Sequence, residues 1–200
     1  MLRASSNAES GKAEILEWAK QSGRLIAKLP WRLNGPKDIG MGEHHVFHDN
    51  KSGRWVKITK GSGMAFGRTL DLRGKRWSIG RATAQEYLHR IKAGNQLFGD
   101  DTILHGVFSD KHGNVNIITS QSDKEGSPVS GAEVIDAMQS EGFISLGESS
   151  YYRRADNTLV LDLHEENAVK IGNKIRVFDA ITLSPTQDQL QRLESEGVIP

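Results

Sequence analysis

Two hundred residues with no cysteine and a formal net charge of +1 suffice for one core or two lobes. They exclude a disulfide framework, a thiolate zinc site and a cysteine nucleophile. The near-neutral total conceals an asymmetry: residues 1–100 hold 18 Lys+Arg against 9 Asp+Glu, a balance of +9, and residues 101–200 hold 8 against 16, a balance of −8. No apolar run reaches the roughly 18 residues of a membrane span, and the opening residues lack the apolar stretch of a signal peptide. A cytoplasmic chain with no membrane partner is therefore expected.

In chain order, the small-polar first twelve residues read as a frayed terminus. Residues 12–28 place Ile15, Leu16, Trp18 and Ala19 on one helical stripe, with Gly23 as the stop. The turn-rich stretch Pro30 to Pro36 is irregular. A hairpin follows, with His45-Val46-Phe47 and Arg54–Thr59 as strands and Asp49–Gly53 as the loop. Residues 60–81, rich in Gly and Arg, read as a mobile connector. Thr83-Ala84-Gln85-Glu86 has the capping-box pattern and starts a helix over 83–97. Thr102–Phe108 and Val115–Ser120 are the next strands, and residues 130–142 form a helix with Val134, Ile135 and Met138 inward. A strand pair, Leu159–Leu163 with Ile175–Phe178, then closes the fold, with a short piece at Ala168–Ile171 and a last helix over Thr186–Ser195. The order of elements is that of an α+β fold in two lobes.

The strongest chemical signal is the polar skeleton D-x4-N-x11-D of Asp162, Asn167 and Asp179, flanking a short apolar hairpin. Phosphoryl transfer suits this grouping. One carboxylate accepts a hydroxyl proton, while an amide oxygen and a second carboxylate share hard Mg²⁺ ions bound to nucleotide phosphates. Upstream, Lys57 lies between the strand residues Val56 and Ile58, where its ammonium can reach phosphates, and Glu86 on the next helix could hold it in place. Gly40 and Gly42 precede a strand, which lets backbone N–H groups approach a phosphate closely. His44 and His48 alternate to one strand face and His45 to the other, so the three do not converge on a metal. Arg68, Arg73, Lys75, Arg76 and Arg81 read as a solvated basic loop, and nucleic acid is not an expected partner.

These residues resemble the protein kinase fold, with a catalytic-loop D-x4-N before a metal-binding Asp and a strand lysine far upstream. More closely, the chain resembles the compact Ser/Thr/Tyr-kinase-like domain of the polyvalent proteins of phages and conjugative elements. The matching stretches include Gly42–Phe47, Val56–Thr59, Glu86-Tyr87-Leu88 with Asn95, Phe98, Gly99 and Asp100, Gly106-Val107, Ser120-Gln121 with Gly126, Gly142-Phe143, and Asp162–Asp179. The resemblance implies a minimal two-lobed kinase-like fold, with a strand-rich N-lobe at about 40–120 and a reduced C-lobe at about 121–183. Residues 1–39 would be a helical and irregular lead-in, and 184–200 a helical tail. It further implies ATP and Mg²⁺ in a cleft, Asp162 as catalytic base, and Asn167 and Asp179 as Mg²⁺ ligands. Lys57 would hold phosphates with Glu86 as its partner, and backbone groups of Thr119, Ser120 and Gln121 would meet adenine.

The chain departs from the kinase pattern in places. Val160 and Leu161 stand where kinases have His and Arg, Asp179 is followed by Ala180-Ile181, His45 replaces the third glycine, and 21 residues follow Asp179. These features keep open a pseudokinase that binds nucleotide or a partner without chemistry. Asp162-Leu163-His164 also resembles the catalytic loop of aminoglycoside and choline phosphotransferases, so the phosphate acceptor is either a protein or a small molecule.

Overall fold

Gly23 adopts a left-handed φ of 66° and stops the first helix, α1 (Arg3–Gln21), as its position in the apolar pattern implies. The computed structural model describes residues 3–29, 42–60, 66–73 and 77–200, with side chains from residue 11 onwards. The helix begins well before residue 12, so residues 3–12 are helical rather than a frayed end. Ile15 and Ala19 are buried while Trp18 is 37% exposed, so Trp18 lies off the buried stripe. The Pro30–Pro36 stretch and Gly40 lie outside the described residues.

The chain divides into two compact units. The first comprises residues 1–69, 80–88 and 101–123. Its five-stranded sheet is built from β1 (Leu25–Ile26), β2 (His44–Asp49), β3 (Arg54–Thr59), β6 (Ile103–Ser109) and β7 (Val115–Ser122), in the order β1-β6-β7-β3-β2. The β2–β3 pair is the expected hairpin, with Val46 opposite Lys57. Between β3 and β6 come β4 (Arg68–Asp71) and β5 (Ser78–Arg81), which pair in a sheet of their own. The described residues of 60–81 are thus more than a bare connector, because they supply β4 and β5 and because Phe66, Thr69 and Leu70 are buried. Arg73 grips Asp71 through two side-chain bonds of 2.6 and 2.9 Å, and the guanidinium holds that carboxyl down at about 2. Lys75 and Arg76 fall outside the described residues.

Strand alternation sorts the first unit's sheet into two chemically different faces. Val56, Ile58 and Ile118 form an apolar cluster on one face, with Ile26, Leu29, Phe47 and Phe108 packed against it. The register places Lys57, Thr119 and Gln121 together on the other face. Gly106 in β6 has a φ of 156°, and a Cβ there would collide with the Arg24 carbonyl and Ile26. The close approach of β1 to β6 therefore requires glycine.

The second unit comprises residues 70–79, 89–100 and 124–200. Between the units' segments, α2 (Ala84–Phe98) starts on the predicted Thr83–Glu86 box. The chain continues with β8 (Ser127–Pro128), α3 (Gly131–Ser140), β9 (Ile144–Gly147), β10 (Ser150–Arg153), β11 (Thr158–Leu161), β12 (Ala168–Ile171), β13 (Lys174–Val177), β14 (Ile181–Leu183) and α4 (Gln187–Ser195). One sheet has the order β14-β11-β10-β9 and a second β13-β12-β8. The expected pairing of Leu159–Leu163 with Ile175–Phe178 does not form: β11 lies between β10 and β14, and β13 pairs with β12. The strand breaks at Asp162, whose φ of 58° turns the chain out of extended geometry.

Both faces of the four-stranded sheet are covered. Tyr151 and Val160 join a cluster with Val134 and Met138 of α3, whereas Tyr152, Leu159 and Leu161 join one with Leu190 and Leu193 of α4. Each fully buried leucine contributes about 1.5–3 kcal/mol, so residues 184–200 pack as part of this core. Ile135 is 37% exposed and does not share the inward stripe of Val134 and Met138. Among the described residues no helix is long and apolar enough to cross a membrane.

Candidate functional site

The second unit assembles Asp162, Asn167 and Asp179 from consecutive local devices. β11 is wholly buried and delivers Asp162 at its end, where the left-handed φ lets the strand turn sharply. Leu163 is fully buried and its N–H donates to Ser149 at 2.9 Å, which anchors the segment on both sides of the aspartate. One turn of 3-10 helix follows (Glu165–Asn167), with the His164 ring nitrogen Nδ1 accepting from the Glu166 N–H at 3.3 Å.

Asn167 then reaches back. Its Nδ2 donates to the main-chain carbonyl of Asp162 at 2.6 Å and lies 3.3 Å from His164 Nε2. His164 Nε2 is 3.9 Å from the Asp162 carboxylate. With the amide nitrogen so engaged, Oδ1 is the side chain's remaining polar atom and an acceptor.

The β12–β13 hairpin brings in the third residue. Its register pairs Ala168 with Val177, and the Asn167 carbonyl accepts from the Phe178 N–H at 3.0 Å. Asp179 is therefore one residue beyond the position opposite Asn167, at the same end of the hairpin. It too has a left-handed backbone, with φ 60°, and its carbonyl accepts from Arg90 Nη2 at 3.1 Å. Left-handed non-glycine residues cost of order 1–3 kcal/mol each, and here two of them are the aspartates of the D-x4-N-x11-D skeleton.

These donors suit a hard cation: an amide oxygen and a carboxylate are oxygen ligands of the type Mg²⁺ takes alongside phosphates and water. Among the described residues no group of three or more His, Asp or Glu side chains gathers as a self-sufficient metal cluster. A Mg²⁺ that enters with a nucleotide needs only one or two protein carboxylate or amide oxygens.

In the first unit, Lys57 lies on β3 opposite Thr119 of β7 and is 7% exposed. Its Nζ donates to Gln121 Oε1 at 2.7 Å. Glu86 is engaged elsewhere: its Oε2 accepts from the Thr83 N–H at 2.7 Å and from the Thr83 hydroxyl at 2.9 Å, completing the helix cap. Thr119 and Ser120 are paired on both sides, to β6 and to β3. Gln121, the last of the three residues expected to meet adenine, is paired with Trp55 of β3. Gly42 precedes β2, and a Cβ there would meet nothing within 4 Å.

Two site contributors were not apparent from the sequence. One is the Gln121 side chain, whose signal is the strand register. The other is Arg90, buried one turn after Glu86 and bonded to the Asp179 carbonyl. A cavity of about 450 Å³ in the second unit is lined by Leu97, Arg153, Asp156, Thr158 and Thr182 among others, and includes none of the predicted site residues.

The family model described as serine/threonine/tyrosine kinase found in polyvalent proteins matches residues 8–183. The chain belongs to this kinase family. No curated protein and no solved structure matches it. The matched span begins inside α1 and contains all of Lys57, Glu86, Asp162, Asn167 and Asp179. The protein is thus kinase-like, and its local geometry around Asp162 can be interpreted in terms of phosphoryl-transfer chemistry.

Proposed function

We propose that this kinase-family protein transfers the γ-phosphoryl group of ATP to a hydroxyl acceptor in a Mg²⁺-dependent reaction. The observation that carries the reading is the tie from Asn167 Nδ2 to the Asp162 carbonyl, with Asp179 at the same end of the hairpin. Asp162 takes the proton of the acceptor hydroxyl as its oxygen bonds to the γ-phosphorus. The bond from that phosphorus to the bridging oxygen breaks, and ADP departs with the electron pair. Asn167 Oδ1 and the Asp179 carboxylate are the residues to hold Mg²⁺, which neutralises phosphate charge when bound. The Lys57 ammonium binds phosphate oxygens. Gly40 and Gly42 are assigned to the phosphate loop. Wild type should label itself or an added hydroxyl acceptor from γ-labelled ATP, and Asp162→Ala should not. Equal labelling by the two proteins would exclude the reading.

A second reading, a nucleotide-binding pseudokinase, is favoured by one observation: Glu86 serves the α2 cap and does not hold Lys57. Stabilisation by ATP that requires Mg²⁺, without any label transfer, is its signature.

A further inference from the structure

We propose that Gln121, through its side-chain amide, is a positioning residue that aims Lys57 at nucleotide phosphates. The inference rests on the phosphate-binding role of Lys57 proposed above, and it names one group that holds that amine. In β3 and β7, Lys57 is opposite Thr119 and Trp55 opposite Gln121, so Gln121 is the diagonal neighbour of Lys57 on one face of the sheet. Lys57 is 7% exposed and Gln121 4% exposed, and the bond between them is 2.7 Å. A bond this short to an ammonium in a buried setting is charge-assisted and directional. It fixes the last torsions of a side chain that otherwise has four freely rotating bonds.

Two further facts support the assignment. The carboxylate that a strand lysine of this kind would take as partner, Glu86, is bound to Thr83 instead. Beside Lys57, the Thr119 hydroxyl is buried with no hydrogen-bond partner, so the cross-strand neighbour does not hold the amine. An amide oxygen orients the ammonium without adding a negative charge of its own. Phosphates that approach Lys57 therefore meet no repulsion from the Gln121 side chain.

The test compares affinities of the full chain for Mg·ATP, Mg·ADP and adenosine in wild type, Gln121→Met, Lys57→Met and the double variant. Gln121→Met keeps the volume and removes the acceptor. It should weaken Mg·ATP and Mg·ADP about tenfold, the value of one hydrogen bond to a charged group, and leave adenosine unchanged. The double variant should bind Mg·ATP no more weakly than Lys57→Met. Gln121→Glu restores an oxygen acceptor and should recover part of the preference for ATP over adenosine, which a purely structural role would not produce. If Gln121→Met does not fold, Gln121→Leu, which also removes the acceptor, takes its place in the same comparison.

Unchanged ATP binding in Gln121→Met, with Lys57→Met impaired, would overturn the proposal and leave the role of Lys57 standing. Equal losses of ATP and adenosine would also overturn it. An unaltered ATP-to-adenosine ratio in Lys57→Met would instead remove the phosphate-binding reading on which it rests.

Discussion

Asn167 donates its side-chain amide to the main-chain carbonyl of Asp162 at 2.6 Å, five residues back across a single 3-10 turn. The bond makes the loop a closed unit, in which the orientation of the asparagine and the left-handed backbone of the aspartate depend on each other. Asn167→Asp keeps an oxygen for a cation but removes the N–H donor. It should lower stability by about 1 kcal/mol and phosphotransfer far more than nucleotide affinity. Thermal melts alongside transfer assays check this. A loss of affinity equal to the loss of turnover would contradict it.

The Glu86 side chain has two bonds at the start of α2, both to Thr83. Glu86→Ala should therefore cost about 1 kcal/mol of stability through the lost cap while leaving Mg·ATP affinity near wild type. Denaturant unfolding and nucleotide titration separate the two effects. A large affinity loss in a folded Glu86→Ala protein would show that the residue serves Lys57 during binding.

Much of this arrangement was legible in the sequence because it is local. The Thr83–Glu86 box, the β2–β3 hairpin and the D-x4-N run are each set by residues within a few positions of one another. The bond between Lys57 and Gln121 joins residues 64 apart and depends on strand register, which alternation alone leaves undetermined. The strands β9 and β10 leave no clear pattern in the sequence because each is four residues long and the left-handed turn at Gly147, Glu148 and Ser149 joins them. β11 was read as longer than it is, since burial on both faces removes the alternation that would mark its end. A left-handed aspartate at its tip has no apolar signature at all.

The first turn of α3 should respond to acid. The Ser130 N–H and the Lys170 ammonium hold the Glu133 carboxyl down at about 2, against an ordinary 4.5. A lowered folded value means the stabilisation is fully present above the unfolded pKa and is lost as pH falls from about 4.5 towards 2. Glu133→Gln should thus melt below wild type at neutral pH, and the gap should close across that acid window. A gap independent of pH would contradict the account of this carboxylate.

Gly106 tests the packing of the first unit's sheet. With φ at 156° and the Arg24 carbonyl against its Cα, Gly106→Ala forces β1 off β6. It should destabilise by roughly 2 kcal/mol or more, whereas Gly113→Ala, with φ of 78° and open space around it, should suffer only backbone strain. Melting temperatures of the two variants give the comparison. Equal losses would contradict the close-approach argument.

The most direct test of the central claim is the rate of γ-phosphate transfer from ATP, with and without Mg²⁺, in wild type, Asp162→Ala and Asp179→Ala side by side. The account predicts Mg²⁺-dependent transfer by wild type, a fall of about 10²–10⁴-fold in Asp162→Ala from loss of the base, and loss of the metal dependence in Asp179→Ala. Transfer that persists undiminished in Asp162→Ala, or a wild type that transfers phosphate to no hydroxyl acceptor, would contradict it.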